Sequence, residues 1–322
     1  MYTMQDLFVT PDSELSMSLR AIRDEIKRRH WPNAQLMKGK HTFLELTRPD
    51  GKVLHTQGCT PPTTSYYAGI LADDKLASAK LLQSIDAPHP ETHLVPIDSE
   101  ARHRLAESML SHHATLILKP IDGAHGYGIH TDLTSVEDVE SAFADNRNTF
   151  NLLQEQLYSD TPELRVICID YQFVAAFARH PAAVTGDGIH TVAELIDIEN
   201  STIRTAPYKS NLAFIDKTMS TAYLQNHHIG DNVPQPGEKV RVVSTCNTGC
   251  GGTMEDVTGS ISAAQRALSE KISRTFELPV IGVDFFGDYV IEVNSTPALY
   301  HPVSGASSTF CVKKLIDYLE TI

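Results

Sequence analysis

Two carboxylates and an amide, Asp284, Glu292 and Asn294, are the residues best suited to chemistry. They lie in Ile281-Gly-Val-Asp-Phe-Phe-Gly-Asp-Tyr-Val-Ile-Glu-Val-Asn294, where apolar and polar residues alternate on both sides of Gly287-Asp288. That alternation predicts two half-buried antiparallel strands joined by a tight turn. Val283, Phe285, Ile291 and Val293 would face a core. Asp284, Glu292 and Asn294 would then share the other face as a hard, all-oxygen cluster of the kind that holds magnesium. A solvated hairpin face with chance acids is the bland alternative, and register decides between them. A two-residue Gly287-Asp288 turn pairs Asp284 with Ile291 and puts the carboxylates on opposite faces. A three-residue loop, Gly287 to Tyr289, pairs Asp284 with Glu292, Val283 with Val293 and Phe285 with Ile291. Because the second arrangement gathers ligands on one side and core residues on the other, an odd-numbered loop is expected.

The second candidate is Lys119-Pro-Ile-Asp-Gly-Ala-His-Gly-Tyr-Gly128, directly after the apolar run Thr115-Leu-Ile-Leu. Gly123, Gly126 and Gly128 let backbone N–H groups crowd round an anion, and Lys119 supplies a point charge for phosphate oxygens. No Gly-Lys-Ser/Thr follows, so this is not a P-loop. Its alternative is a plain hairpin turn.

The chain of 322 residues is 41% apolar and 21% charged, an ordinary globular composition large enough for more than one lobe. Its formal net charge of −13 disfavours nucleic acid as a partner, so an anionic ligand must be met by local cations. No stretch approaches the roughly 20 apolar residues of a membrane span, and a cytoplasmic location is expected. Five scattered cysteines argue against a disulfide framework. The pairs His112-His113 and His227-His228 read as surface or loop residues.

These motifs need elements to hold them. Thr10-Pro11 reads as a cap opening a helix with Leu15, Leu19, Ile22 and Ile26 on one face. A hairpin is expected over 42–47 and 53–57, and a polar loop from Gly58 to Tyr67. Helices follow from Asp73 and near 99–112, then strand 115–119, the glycine loop, helix 135–145 and strand 150–157. Strands at 164–170 and 172–179 precede a helix opened by the capping box Thr191-Val-Ala-Glu194. Residues 200–240 read as an irregular insert. A helix bearing Ala264, Leu268 and Ile272 leads into the Asp284 hairpin, and a last helix lies near 309–321.

Taken in order, the Asp74-Lys75 helix opening, Lys119-Pro with its glycine-rich lid, Gln154-Glu155-Gln156-Leu157, Glu163-Leu-Arg165 and the late Asp and Glu-x-Asn resemble the ATP-grasp superfamily. The nearer resemblance is to the ATP-grasp modules of cyanophycin synthetase and bifunctional glutathione synthetases. It is carried also by Arg179-His-Pro through Leu195-Ile196, Gly251-Gly-Thr-Met-Glu-Asp-Val-Thr258 and Ile291-Glu-Val-Asn-Ser-Thr-Pro-Ala298, over roughly residues 70–310. One departure stands out: Cys246-Asn-Thr-Gly-Cys-Gly-Gly252 replaces those relatives' Asn-Leu-Ser-Thr-Gly-Gly.

The resemblance implies an α+β fold of three lobes, divided as 1–72, 73–157 and 158–322, with ATP between the latter two and a substrate-facing insert near 200–252. It implies that Lys75 and Lys119 contact phosphates, that Glu155, Gln156 and Leu157 read the adenine edge, and that Glu163 takes the ribose. Asp284, Glu292 and Asn294 would hold magnesium, two ions in number, with manganese able to substitute. Arg165, Arg179 and Asn294 would hold an acyl phosphate or substrate carboxylate. Cys246, Gly249, Gly251 and Gly252 are the candidates for substrate selection. The implied activity is ATP-dependent amide formation on an amino acid or small peptide, with no nucleic acid or membrane partner and homo-oligomers allowed. A ligase acting on a protein or carrier terminus, and a silent nucleotide-binding module, are the alternatives.

Overall fold

The computed structural model describes the chain apart from residues 1–2, 40, 122–127, 147–149, 158–161, 206–213, 247 and 301–304. The chain divides into two compact units, one of residues 1–123, 128–177 and 256–322, the other centred on Ala178–Glu255.

The first unit begins with a sequentially ordered antiparallel sheet of β1 (Thr3–Asp6), β2 (Asn33–Lys38), β3 (Thr42–Thr47) and β4 (Val53–Gln57). The hairpin expected at 42–47 and 53–57 is present, turning at Gly51 in the left-handed region (φ 85°). Helix α1 (Met17–Arg28) starts later than Thr10-Pro11 suggested. Thr10 donates its hydroxyl to the Asp6 carbonyl at 2.7 Å and Pro11 leads into a short 3-10 turn, so Ser16 takes the capping role, accepting from the Leu19 N–H at 3.3 Å. Next come α2 (Tyr66–Asp73) and α3 (Lys75–Ser84). The loop expected to run to Tyr67 thus ends at Ser65, which caps α2. Helix α2 was not expected, and the helix expected from Asp73 starts at Lys75, because Asp74 is its extended N-cap, with Oδ1 accepting from the Leu76 and Ala77 N–H groups, each at 2.9 Å.

A second sheet runs in the order β5 (Thr92–Leu94), β8 (Asn151–Glu155), β6 (Leu116–Pro120), β7 (His130–Leu133). It packs Leu116, Leu118 and Leu153 against Ala106 and Met109 of α4 (Ser99–Leu110) and Val139 and Ala142 of α5 (Val136–Asp145). A third sheet sets β9 (Glu163–Ile169) between β10 (Gln172–His180) and β14 (Val280–Phe286), with β15 (Tyr289–Asn294) beyond β14. Its core joins Val166, Val283, Phe285, Val290 and Val293 to Ile272 and Phe276 from the region of α8 (Ala263–Thr275). The last helix, α9 (Gly305–Thr321), is tied to α1 through Arg29, which reaches Asp317 at 2.7 Å and Glu320 at 2.9 Å. Buried Glu25 accepts from both Arg28 (2.6 Å) and Arg29 (2.8 Å).

The second unit pairs β11 (Ala183–Thr185) with β12 (Lys239–Arg241) and carries α6 (Val192–Thr205) and α7 (Lys217–His227), with β13 (Thr253–Asp256) at its end. The Thr191–Glu194 capping box is formed: the Glu194 N–H donates to Thr191 Oγ1 at 3.3 Å and the Thr191 N–H to Glu194 Oε2 at 2.8 Å. The described residues of 200–240 are less irregular than expected. Asp216 caps α7 by accepting from the Met219 N–H, Ser220 and Leu224 are buried, and left-handed His228 ends the helix. A buried Asn200 clamps the Ile215 backbone at both its N–H and carbonyl.

The β14–β15 hairpin reconciles the two competing registers. At its tip Phe286 pairs with Tyr289, so the turn is the two-residue Gly287-Asp288, with positive φ at Gly287 only, as type II′ requires. At its base Asp284 faces Glu292 and Val283 faces Val293. A bulge supplies the difference: Phe285 pairs with Val290, leaving Ile291 as the extra residue. The odd-numbered loop is therefore overturned while the carboxylate pairing is kept, and Val290, not Ile291, fills the core position.

Two outcomes test this packing. Val290→Ala should lower the unfolding free energy by about 2 kcal/mol and Ile291→Ala by clearly less, although the latter removes more carbon; urea denaturation of both would reveal a reversed order if the bulge were elsewhere. Hydrogen bonding to Arg28, then Arg29, holds the Glu25 carboxyl at about 2, against the opposite pull of burial. A depressed carboxyl stabilises the fold above its ordinary value of 4.5 and loses that contribution as pH falls toward about 2. Glu25→Gln should therefore narrow the stability difference from the unsubstituted protein across that window, as followed by acid-dependent thermal unfolding.

Candidate functional site

The third sheet places charges in a row. Arg165 of β9 lies directly opposite Asp284 of β14, which lies directly opposite Glu292 of β15, so the three share one face. Asp284 is 0% exposed. Both of its oxygens are engaged by Arg165, Nε to Oδ1 at 2.7 Å and Nη2 to Oδ2 at 2.6 Å, and Asn294 donates its amide to Oδ2 at 3.2 Å. Beside them Gly282 makes room for Pro297, whose Cβ would lie 3.1 Å from a Cβ at this position. Burial works against the Arg165 charge, but the charge and hydrogen bonds of Asp284 outweigh it and shift the guanidinium upward. Glu292, whose side chain is 39% exposed, meets Lys75 of α3 with Nζ to Oε1 at 3.5 Å.

The chemistry of this donor set fits a hard divalent ion: two carboxylates and an amide oxygen on one hairpin face. Glu292 is the more available carboxylate, since Asp284 is committed to Arg165 through both oxygens. Among the described residues, no three His, Cys, Asp or Glu side chains converge as a metal site.

Beside the row is a small cavity lined by Lys75 and Leu82 of α3, Thr92, Lys119, Gln154 and Glu292. Lys119 donates from Nζ to Gln154 Oε1 at 2.8 Å, and Gln154 donates from Nε2 to Thr92 Oγ1 at 2.7 Å. Burial draws the Lys119 ammonium down to about 8, with Glu292 opposing that shift and Lys75 reinforcing it. Sequence reading named Lys119 but missed Thr92 and the role of Gln154. Strand β5, at three residues, is too short to show a period.

At the end of β8 the expected nucleotide-reading residues have local partners. The Glu155 carboxylate accepts from the Glu91 N–H at 3.2 Å and lies 3.5 Å from His113. His113 also lies 2.8 Å from Glu91, so it sits among acids in space, which its sequence neighbourhood did not reveal. Gln156 is locked to Asp132 of β7, accepting from its N–H at 2.6 Å and donating to its carboxylate at 2.8 Å. Leu157 is half-buried just beyond the strand, and Glu163 opens β9. Gly128 takes a left-handed φ of 71°, whereas Gly123 and Gly126 lie outside the described residues.

In the second unit, Arg179 sits near the end of β10, and Cys246 precedes a 3-10 turn, Thr248–Cys250, that exposes Gly249. Gly251 and Gly252 follow. At Gly251, φ is 92° and a Cβ would lie 2.9 Å from Ile215 Cα, so the backbone approaches too closely for any side chain. Elsewhere, in the first unit, a cavity of about 420 Å³ is lined by Glu14, Lys38, His41, Cys59 and Thr296–Ala298, the segment just past Asn294.

The buried pair can be tested without substrate. Arg165→Met leaves a carboxylate buried without its cation and should lower stability by about 3–5 kcal/mol, whereas Arg165→Met with Asp284→Leu should recover most of the loss. Chemical denaturation of the two single variants and the double variant completes the cycle.

No protein-family model matches the chain. Cyanophycin synthetase from Crocosphaera subtropica is 28% identical over 256 residues, covering 73% of this chain and 29% of that protein. The glutathione biosynthesis bifunctional protein of Clostridium perfringens is 26% identical over 309 residues, covering 90% of this chain and 38% of that protein. The chain thus spans about a third of the length of these relatives. Among solved structures, a bifunctional glutathione synthetase from Pasteurella multocida superposes with a TM-score of 0.65 at 19% identity, covering 96% of this chain and 44% of that one. The chain has the ATP-grasp fold, and in sequence it is a relative of the cyanophycin synthetases and the bifunctional glutathione-biosynthesis proteins.

Proposed function

We propose that the chain is an ATP-dependent carboxylate–amine ligase acting on an amino acid or small peptide. The observation that carries this reading is the row Arg165, Asp284, Glu292 with Lys75 and Lys119 beside it, two acids flanked by three cations on one side of the first unit. In an acidic protein, a triphosphate needs such fixed cations. Lys75 and Lys119 would neutralise phosphate oxygens, and Gly128 with the lid glycines Gly123 and Gly126 would supply backbone donors. The backbone of Glu155, Gln156 and Leu157 would read the adenine edge, and Glu163 would accept from ribose hydroxyls. Glu292 and Asn294, with Asp284, would hold magnesium. When bound, magnesium would offset charge on the β- and γ-phosphates.

In this reading a substrate carboxylate attacks the γ-phosphorus and expels ADP to give an acyl phosphate; an amine then adds to the acyl carbon, displaces inorganic phosphate and gives up a proton to leave an amide. Arg165 and Arg179 would orient the acyl phosphate or the carboxylate, and Asn294 would assist through its amide. Such positioning can supply roughly 7–11 kcal/mol of the barrier. Cys246, Gly249, Gly251 and Gly252 are proposed as substrate-selecting residues.

A phosphate-release screen of amino acids and dipeptides, with hydroxylamine as surrogate amine, tests the reading and names the acid half-substrate. Glu292→Gln should abolish that release while leaving the thermal transition nearly unchanged, because a half-exposed carboxylate adds little packing. Turnover equal to the unsubstituted protein would remove Glu292 from the mechanism. Silence of the unsubstituted protein across the screen, despite measurable ATP binding, would favour a nucleotide-binding module.

A further inference from the structure

Lys119 and Gln154 are brought together by register. In the β6–β8 ladder Lys119 faces Leu152 and Ile117 faces Gln154, so Lys119 and Gln154 are diagonal neighbours on one face. In the β5–β8 ladder Thr92 lies directly opposite Gln154. Three strands therefore deliver Thr92, Gln154 and Lys119 in line to the cavity that Lys75, His89 and Glu292 also line.

The hydrogen-bond inventory fixes how this line is wired. Thr92 has one hydroxyl proton and donates it to the Pro90 carbonyl at 2.8 Å. Its oxygen can then only accept from Gln154, which turns the amide NH2 toward Thr92 and the amide carbonyl toward the Lys119 ammonium. Reversing the amide would set two N–H donors against a cation. Gln154 is 8% exposed between buried Leu153 and the strand end, where an apolar side chain would be the simpler choice. An apolar residue would leave the ammonium without this acceptor, and a carboxylate would neutralise it. A neutral, oriented acceptor holds the ammonium in place and leaves its charge available.

We propose that Gln154, oriented by Thr92, is a positioning residue that fixes the Lys119 ammonium at this cavity for contact with an anionic ligand. That the ligand is the triphosphate rests on the ligase reading. The low proton affinity of Lys119 accords with a neutral partner, since burial is only partly offset by Glu292 and is reinforced by Lys75.

The test reads Lys119 directly. The nucleotide-free protein is trace-labelled with an amine-acylating reagent across a pH series, and Lys119 acylation is followed by peptide mass spectrometry in the unsubstituted protein, Gln154→Glu and Thr92→Val. In parallel, the affinity of each for a non-hydrolysable ATP analogue with magnesium is measured. Gln154→Glu places a carboxylate against the ammonium. Its labelling midpoint should move up by about one pH unit or more, and analogue affinity should fall on the order of tenfold. Thr92→Val preserves shape but removes the acceptor that orients the amide, so its Lys119 profile should also shift and its analogue affinity fall by a few-fold. A buried residue with only a packing role would leave both readouts unchanged in a folded Thr92→Val protein. Profiles that coincide in the unsubstituted protein and every folded variant overturn the proposal. A shifted profile together with no analogue binding by the unsubstituted protein keeps the positioning role and rejects the nucleotide as ligand.

Discussion

A charge with no exposed surface must be answered inside the protein, and Asp284 sets that demand on the third sheet. Its two oxygens dictate that a bidentate cation stand directly across the ladder, which places Arg165 on β9 next to β14. Two positions back, Gly282 answers a different neighbour, Pro297, whose Cβ a side chain there would approach to 3.1 Å. The Asp284 oxygens also recruit the Asn294 amide from the far strand. Strand order and a hairpin register are thus tied to one carboxylate, and the same arrangement presents Glu292 to solvent beside Lys75.

The cations around this carboxylate are not equivalent. Arg165 is matched by a full negative charge, Lys75 meets a half-exposed acid at 3.5 Å, and Lys119 meets a neutral amide at 2.8 Å. Neutralisation thus falls from the strand interior toward the cavity. For a protein with a formal charge of −13, such grading localises positive potential where an anion could use it, while the rest of the surface repels anions.

Much of this was legible in the sequence because it rests on local rules. The capping box at Thr191, the hairpin at 42–57 and the pairing of Asp284 with Glu292 need only period-2 alternation, a cap and a turn. Other features hid for physical reasons. The bulge at Ile291 keeps an alternating pattern while moving the core position to Val290, and two arguments that each held half the answer looked contradictory. Helix α7 was obscured by Asn, Pro and Gly around it, although Asp216 and the buried Ser220 and Leu224 carry its signal. The Thr92–Gln154–Lys119 line was illegible because its partners come from three strands, one of them only three residues long. The second carboxylate contact of His113, through Glu91, is equally non-local.

The bulge at Ile291 also has an evolutionary consequence. A hairpin normally transmits any change of turn length straight down its ladder, inverting every side chain below. Here the phase of the tip and the phase of the base are set separately, with the irregular residue acting as a mechanical clutch between them. The Gly287-Asp288 tip, steadied by the Gln265 amide on the Gly287 carbonyl at 3.2 Å, can drift in sequence or length with compensation at the bulge. The acid-bearing end is shielded from that drift. Related chains with differently sized tips could therefore keep the same carboxylate geometry, and grafted loops at this position are the natural place to vary the molecule without disturbing its charge row.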